Sequence, residues 1–299
     1  MSHLTPTLLL IFITMVWGWS FTLVKNAIST HGALSFLVMR FVIASIVMGA
    51  ISARKITRAS LIDGTIIGLA LVASYLTQTL GQRFTTVTNS GLITGLFVVF
   101  APLANRALFG VRTKWGCWVA IGASLIGLAL LTDAGNGSLN IGDLLTLVGA
   151  AFIGLYIALL DRFAKDHDTG ALATVQIFVS TLVCLLAWVL ARIVETWFLG
   201  SAVAARADVP MDPLPWPMGS LWFALMITAL ISTSAGAYVQ TYVQKRLSAI
   251  RVTVIVSLTP VFAALFGILL AGDNLTRIEA TGAVMMISAV MAVEIINKR

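Results

Sequence analysis

Residues Ala237–Gly272, AYVQTYVQKRLSAIRVTVIVSLTPVFAALFGILLAG, read as two apolar helices joined by a basic elbow, the second of them broken at Pro260. A fainter copy, TLGQRFTTVTNSGLITGLFVVFAPLANRALFG, occupies Thr79–Gly110. Laying Pro102 on Pro260 also lays Gln82 on Gln240 and Ser90 on Ser248. A chain that carries such a copy is two related halves, and its function is expected between them.

Composition assigns the class. The chain is 59% hydrophobic and 10% charged, against about 25% charged in soluble domains. So much apolar surface belongs in a bilayer. The net charge of +7 comes from basic residues scattered through short loops, which is a membrane topology pattern and not a nucleic-acid footprint. Met1–Pro6 lacks the basic start of a cleavable signal, so the first helix is expected to be retained. Cys117 and Cys184 both fall inside apolar segments and read as packed thiols.

Ten segments are long enough to span: 6–28, 34–53, 61–82, 86–109, 115–132, 141–160, 171–194, 219–244, 250–271 and 278–296. Most connections are short. The exception is Thr196–Met218, where Pro210, Pro213, Pro215 and Pro217 flank Trp216 and rule out a regular helix. Alternate loops, with the span ends that adjoin them, hold 13 and 5 of the lysines and arginines. That bias puts both termini in the cytoplasm. Ten spans split five and five, and an odd repeat must enter the membrane from the opposite side the second time. The expected architecture is therefore an all-α polytopic membrane protein, ten transmembrane helices in two inverted five-helix repeats. The halves are 1–134 and 135–299, with AGNGSLN (Ala134–Asn140) as the turn between them. Gly18 in the first span lies on Gly154 in the sixth, and the GAL runs Gly32–Leu34 and Gly170–Leu172 then fall almost in step.

The run WGWSFTLVK in the first span, Arg40 in the second, and LTPVFAALFG followed by a Gly282-Ala283 helix resemble the EamA-type transporters of the drug/metabolite superfamily. The resemblance covers the whole chain and is nearest to bacterial inner-membrane exporters of aromatic and other neutral amino acids. It implies export of small metabolites by alternating access, with a multidrug exporter of the same fold as the alternative. Asn105 and Arg106 follow Pro102 where the second half has small apolar residues, a departure from the family pattern.

Polar side chains inside a bilayer are costly unless they face protein or water, so their distribution maps the interior. Ser74, Tyr75, Gln78, Thr79 and Gln82 make one stripe on the third span. The fourth adds Thr86, Asn89, Ser90 and Thr94; the eighth adds Thr233, Ser234, Tyr238, Gln240, Tyr242 and Gln244; the ninth adds Thr253, Ser257 and Thr259. Spans 1, 3, 4, 6, 8 and 9 are expected to surround a cavity, with 2, 5, 7 and 10 outside. A serine or threonine can instead satisfy itself on its own helix, whereas a cluster of buried amides calls for partners of its own. Trp17 and Trp19 sit two residues, or roughly 200°, apart, so only one faces the centre, and Trp17 beside Gly18 is preferred. The expected substrate-binding set is Trp17, Tyr75, Gln78, Thr79, Asn89, Tyr156, Tyr238, Gln240, Gln244 and Ser257. Pro102 and Pro260 are the expected bends, either hinges or static kinks.

Charges within spans are few. Arg40 either snorkels to the interface or pairs with helix-end carbonyls or a substrate carboxylate. Lys25 and Arg83, at span ends, are expected to meet headgroups or water. No Asp or Glu falls near mid-span, the usual place for a proton relay, so passage down a substrate gradient is the simpler mechanism. An intramembrane hydrolase would need paired aspartates, a metal cluster or a Ser–His set. His3, His31 and His167 are terminal or in loops, and no HExxH occurs. No cofactor, no metal and no catalytic residue is expected. The expected partners are a small-molecule substrate such as an amino acid and the lipid bilayer, with the chain acting as a monomer.

Overall fold

A computed structural model describes residues 4–110, 140–194, 219–247 and 255–278, with scattered positions in 115–130 and 280–288 and residue 252. The predicted fifth and tenth spans, the loop at 196–218 with Trp216, Cys117, Thr253 and the turn before Asn140 lie wholly or largely outside the described residues.

Among the described residues the regular structure is helical. We number α1 Leu4–Thr30, α2 Ala33–Ser52, α3 Arg58–Gly81, α4 Val87–Thr94, α5 Phe97–Phe109, α6 Ile141–Phe163 and α7 Thr169–Val194. These are followed by α8 Ser220–Gln244 and the shorter α9 Thr259–Ala271. Among the described residues seven stretches are long and apolar enough to cross a membrane, with α4 and α5 forming one of them. Even α2 alone, with 20 residues, gives about 30 Å of helix, the thickness of the hydrocarbon core.

Side chains settle where several helices start. Thr57 accepts from the Ser60 N–H (3.2 Å) while Ser60 Oγ accepts from the Thr57 N–H (2.9 Å), a reciprocal cap on α3. Thr86, Asn140 and Asp168 cap α4, α6 and α7 by accepting one backbone N–H each. Along the helices, several buried hydroxyls are satisfied by the carbonyl four residues back, as in Thr14, Thr174, Ser180, Thr228 and Thr241. They mark burial and not a ligand.

The packing has a doubled pattern. α3 lies against α6 and α7, while α8 lies against α1 and α2; α5 lies on α6 as α9 lies on α1. The two glycines aligned from sequence play matching parts. A Cβ on Gly18 would fall 2.4 Å from Phe262 Cβ, and one on Gly154 2.5 Å from Phe100 Cβ. Between these pairs α4 crosses α9, with Gly91 against Ala263 and Gly95 against Pro260. Large apolar side chains such as Leu61, Ile62, Ile66 and Leu69 on α3 point out to lipid instead.

Each proline lies beyond a break in its helix, not at one. The fourth span is interrupted at Gly95–Leu96, where tight bonds run from Val98 N–H to the Gly95 carbonyl (3.2 Å) and from Val99 N–H to the Leu96 carbonyl (2.9 Å). Pro102 then sits inside α5. Pro260 occupies the first turn of α9, where its missing N–H costs nothing. Because Gly95 lies on Pro260, the two interruptions touch.

Polar clasps close the ends of the bundle. Lys25 Nζ donates to the carbonyls of Gln82 (2.5 Å), Arg83 (3.3 Å) and Thr85 (2.8 Å) at the end of α3. The expectation of headgroup contact is thus corrected for Lys25: the unpaired carbonyls of a helix C-terminus attract it more strongly. Asp273 accepts the Thr88 N–H at the start of α4 (2.7 Å). At the other end His167 Nε2 and Asp63 Oδ2 are 2.7 Å apart, and Lys245 donates to the His167 carbonyl.

Gly91→Ala and Gly95→Ala should each lower the unfolding temperature of the detergent-solubilised protein. The cost expected of overpacking is about 1–3 kcal/mol. Gly122, which has no described residue within 4 Å of an added Cβ, should tolerate alanine within about 0.5 kcal/mol.

Candidate functional site

Where α1, α3, α5, α6 and α8 face one another they leave a cavity of about 100 Å³. α3 and its C-terminal cap supply more of its polar wall than any other helix. Ser74, Tyr75, Gln78, Thr79 and Gln82 all line it, as the 3.6-residue stripe requires. Gln78 Nε2 donates to Thr94 Oγ1 (3.0 Å), tying α3 to the end of α4.

The aromatic groups are held in set poses. Trp17 lines the cavity and its Nε1–H donates to the Ser232 carbonyl (2.8 Å). Trp19 turns away against Phe223 and Phe266, with ring centroids 5.9 and 6.4 Å off. Tyr75 meets Phe41 edge-on at 5.1 Å, and the buried Tyr156 forms part of the opposite wall.

Arg40 is the one charged side chain among the described residues lining the cavity. It is 2% exposed, so it does not snorkel, and α2 reaches the cavity through it although that helix was expected to stay outside. Its Nε donates to Thr233 Oγ1 (2.7 Å), and its Nη2 donates to Ser232 Oγ (3.0 Å) and Tyr75 Oη (3.3 Å). Its Cζ lies 4.7 Å over the Tyr75 ring centroid. Burying an arginine at mid-helix costs roughly 2.5–3.5 kcal/mol on an insertion scale. Three interhelical hydrogen bonds at about 0.6 kcal/mol each, with a cation–π contact of about 0.5–2 kcal/mol, bring the sum near balance. The charge itself stays unmatched: the ion pairs among the described residues are Lys55–Asp168 and His167–Asp63.

Of the sequence-predicted residues, the structure brings Trp17, Tyr75, Gln78, Thr79, Tyr156 and Gln240 to the cavity together with Arg40. Asn89 is half-buried and caps back onto Thr86 through its N–H. Tyr238 is 41% exposed and stacks on Tyr242 at 6.5 Å, pointing out of the bundle. Gln244 is buried one turn beyond Gln240, its Nε2 3.4 Å from the Ile157 carbonyl. Ser257 is buried beside the lining and not in it.

Ser20, Phe21, Phe97 and Ser232 also line the cavity. Ser20 is three residues from Trp17, a helical spacing that marks it. Ser232 and Gln240 would be about 80° apart on an ideal α-helix. Residues Ile227–Ala235 form a wide-turned π segment, a feature common at functional sites, and no 3.6-residue pattern registers that change of phase.

The EamA-like transporter family model matches the chain twice, over residues 5–133 and 140–294. An uncharacterized transporter of Archaeoglobus fulgidus is 28% identical over 96% of this chain and 84% of its own length. The uncharacterized inner membrane transporter YedA of Escherichia coli K12 is 25% identical over 93% of this chain and 87% of its own. A solved crystal structure with 17% identity shares the fold at a TM-score of 0.65, covering 100% of this chain and 99% of the other.

Tyr75→Phe keeps the ring under Arg40 and removes one hydrogen bond, so chemical unfolding should report a loss of about 0.5–1.5 kcal/mol. Tyr75→Ala also removes the ring and should cost about 3–5 kcal/mol.

Proposed function

From the premise that this chain belongs to the EamA-like transporter family, and so is a membrane transporter, we propose that it exports small metabolites, above all aromatic and other neutral amino acids. The observation that carries this reading is the cavity: five aromatic side chains and three amides around about 100 Å³. Aromatic faces suit flat or apolar side chains and amides suit a polar head. The volume is well short of the 300–1,000 Å³ usual for drug-sized ligands, which supports a small metabolite over a multidrug substrate.

The proposed mechanism is alternating access by two inverted halves, 1–134 and 135–299, with both termini cytoplasmic and the chain acting as a monomer. Support comes from the double family match and from the paired packing of α3 on α6 and α8 on α1. The moving parts are the fourth and ninth spans, each weakened just before its proline and touching where Gly95 meets Pro260. No acidic side chain lines the cavity among the described residues, in keeping with passive, uncoupled transport.

Purified protein in liposomes should accumulate labelled phenylalanine or leucine down the imposed gradient, at a rate that a pH gradient leaves unchanged. Acceleration of more than a few-fold by a proton gradient would overturn the uncoupled mechanism. Gln78→Ala should lower kcat/KM about tenfold, the value of one hydrogen-bonding group in a polar site, while the outward Tyr238→Ala should stay within about twofold. Uptake of none of the neutral amino acids would refute the substrate assignment.

A further inference from the structure

We propose that Arg40 is the anchor for a substrate carboxylate, so that the transporter selects ligands bearing one carboxylate and rejects organic cations. The inference rests on the substrate-site reading above and deepens it by naming the group recognised. Three observations carry it. Arg40 is 2% exposed yet lines the cavity. Its Nε and Nη2 are held by Thr233, Ser232 and Tyr75, all uncharged acceptors. No carboxylate among the described residues lies within ion-pair distance of it. The guanidinium carries five N–H donors, so the donors of Nη1 are left over on a group already oriented for use. A guanidinium so fixed loses little further freedom on accepting a planar carboxylate.

The charge count sets the ligand class. One cation and no anion line the cavity among its described residues, so a monocarboxylate brings the site to neutrality. A dianion such as a phosphate monoester would leave an unmatched negative charge in a low-dielectric chamber, and an organic cation would add a second positive one. The same lining holds two buried polar atoms without a hydrogen-bond partner, Gln82 Oε1 and Thr259 Oγ1. Both can accept, so the site can also take a ligand with N–H donors beyond its carboxylate. A zwitterionic amino acid offers both groups, its carboxylate to Arg40 and its ammonium to these acceptors, and leaves the net charge of the site as it was, whereas a simple carboxylic acid cancels it.

The test uses matched triplets on two frameworks: phenylalanine, 3-phenylpropionate and phenethylamine; leucine, 4-methylpentanoate and isopentylamine. Each is scored on detergent-solubilised wild-type protein for thermal stabilisation, and on proteoliposomes for competition with labelled phenylalanine uptake. A phosphate monoester, phosphoserine, is added to the stabilisation arm. The expected result is that acids and amino acids stabilise the wild type while the amines and phosphoserine do not. Arg40→Gln should weaken the carboxylate ligands by about 10- to 100-fold, the usual strength of a hydrogen bond to a charged group, and abolish the preference for acid over amine. Arg40→Lys should recover part of the loss.

Stabilisation by the acids without amino-acid uptake would retain the anchor and refute the amino-acid reading. Uptake that is unchanged in Arg40→Gln, or amines stabilising the wild type as well as acids do, would overturn the anchor and leave transport standing. Failure of every carboxylate to stabilise the wild type also overturns it. The acid-to-amine comparison needs no variant, so it decides the matter even where Arg40→Gln does not fold.

Discussion

Helices in hydrocarbon gain nothing by hiding leucine from lipid, so this bundle is held where backbones come into contact. The crossing of α4 and α9 shows it most plainly, with Gly91 against Ala263 and Gly95 against Pro260. Close approach there lets α1 and α6 seat their own glycines, Gly18 and Gly154, on the neighbouring chain of Phe262 and Phe100. Dispersion over such contacts is dense and short-ranged, and it leaves the large side chains free to face outward. The cavity exists because the same small residues give way, on the inner faces, to Trp17, Tyr75 and Tyr156, which hold helices apart.

Into that spacing the chain places a guanidinium. Carried by α2, it is held by two other helices: by Tyr75 on α3 and by Ser232 and Thr233 on α8. Neutral acceptors suffice to bury the group without silencing it, since hydroxyls orient a cation but do not cancel its charge. A carboxylate in their place would neutralise the guanidinium at a desolvation cost of its own and leave the site no electrostatic preference to exert.

Much of this was legible in the chain before any coordinates. Composition and span length disclose the helices, because a continuous apolar run of about 20 residues satisfies its own backbone in lipid only as a helix. The stripe on α3 could be read to the residue, and the 200° separation of Trp17 from Trp19 picked out the inward ring. The same rotation applied to α8 would have set Tyr238 opposite Gln240, and the structure does place it outside. Other features carry no local signal. Arg40 looks isolated in an apolar helix because its partners lie 35, 192 and 193 residues away. Helix breaks were expected at the prolines, whereas the chain yields before them, where Gly95 is both flexible and in contact. The wide turn of Ile227–Ala235 shifts the phase of everything after it, and an ideal period is blind to that.

One bond in the chamber differs in kind from the rest. Trp17 docks on the main-chain oxygen of residue 232, while Arg40 holds that residue's hydroxyl. Replacing the serine erases the second contact and leaves the first in place, because every amino acid brings a carbonyl. The frame of the chamber is thus insulated from genetic change at this position, and its chemistry is not. A substitution there can alter the hold on Arg40 while Trp17 keeps its dock.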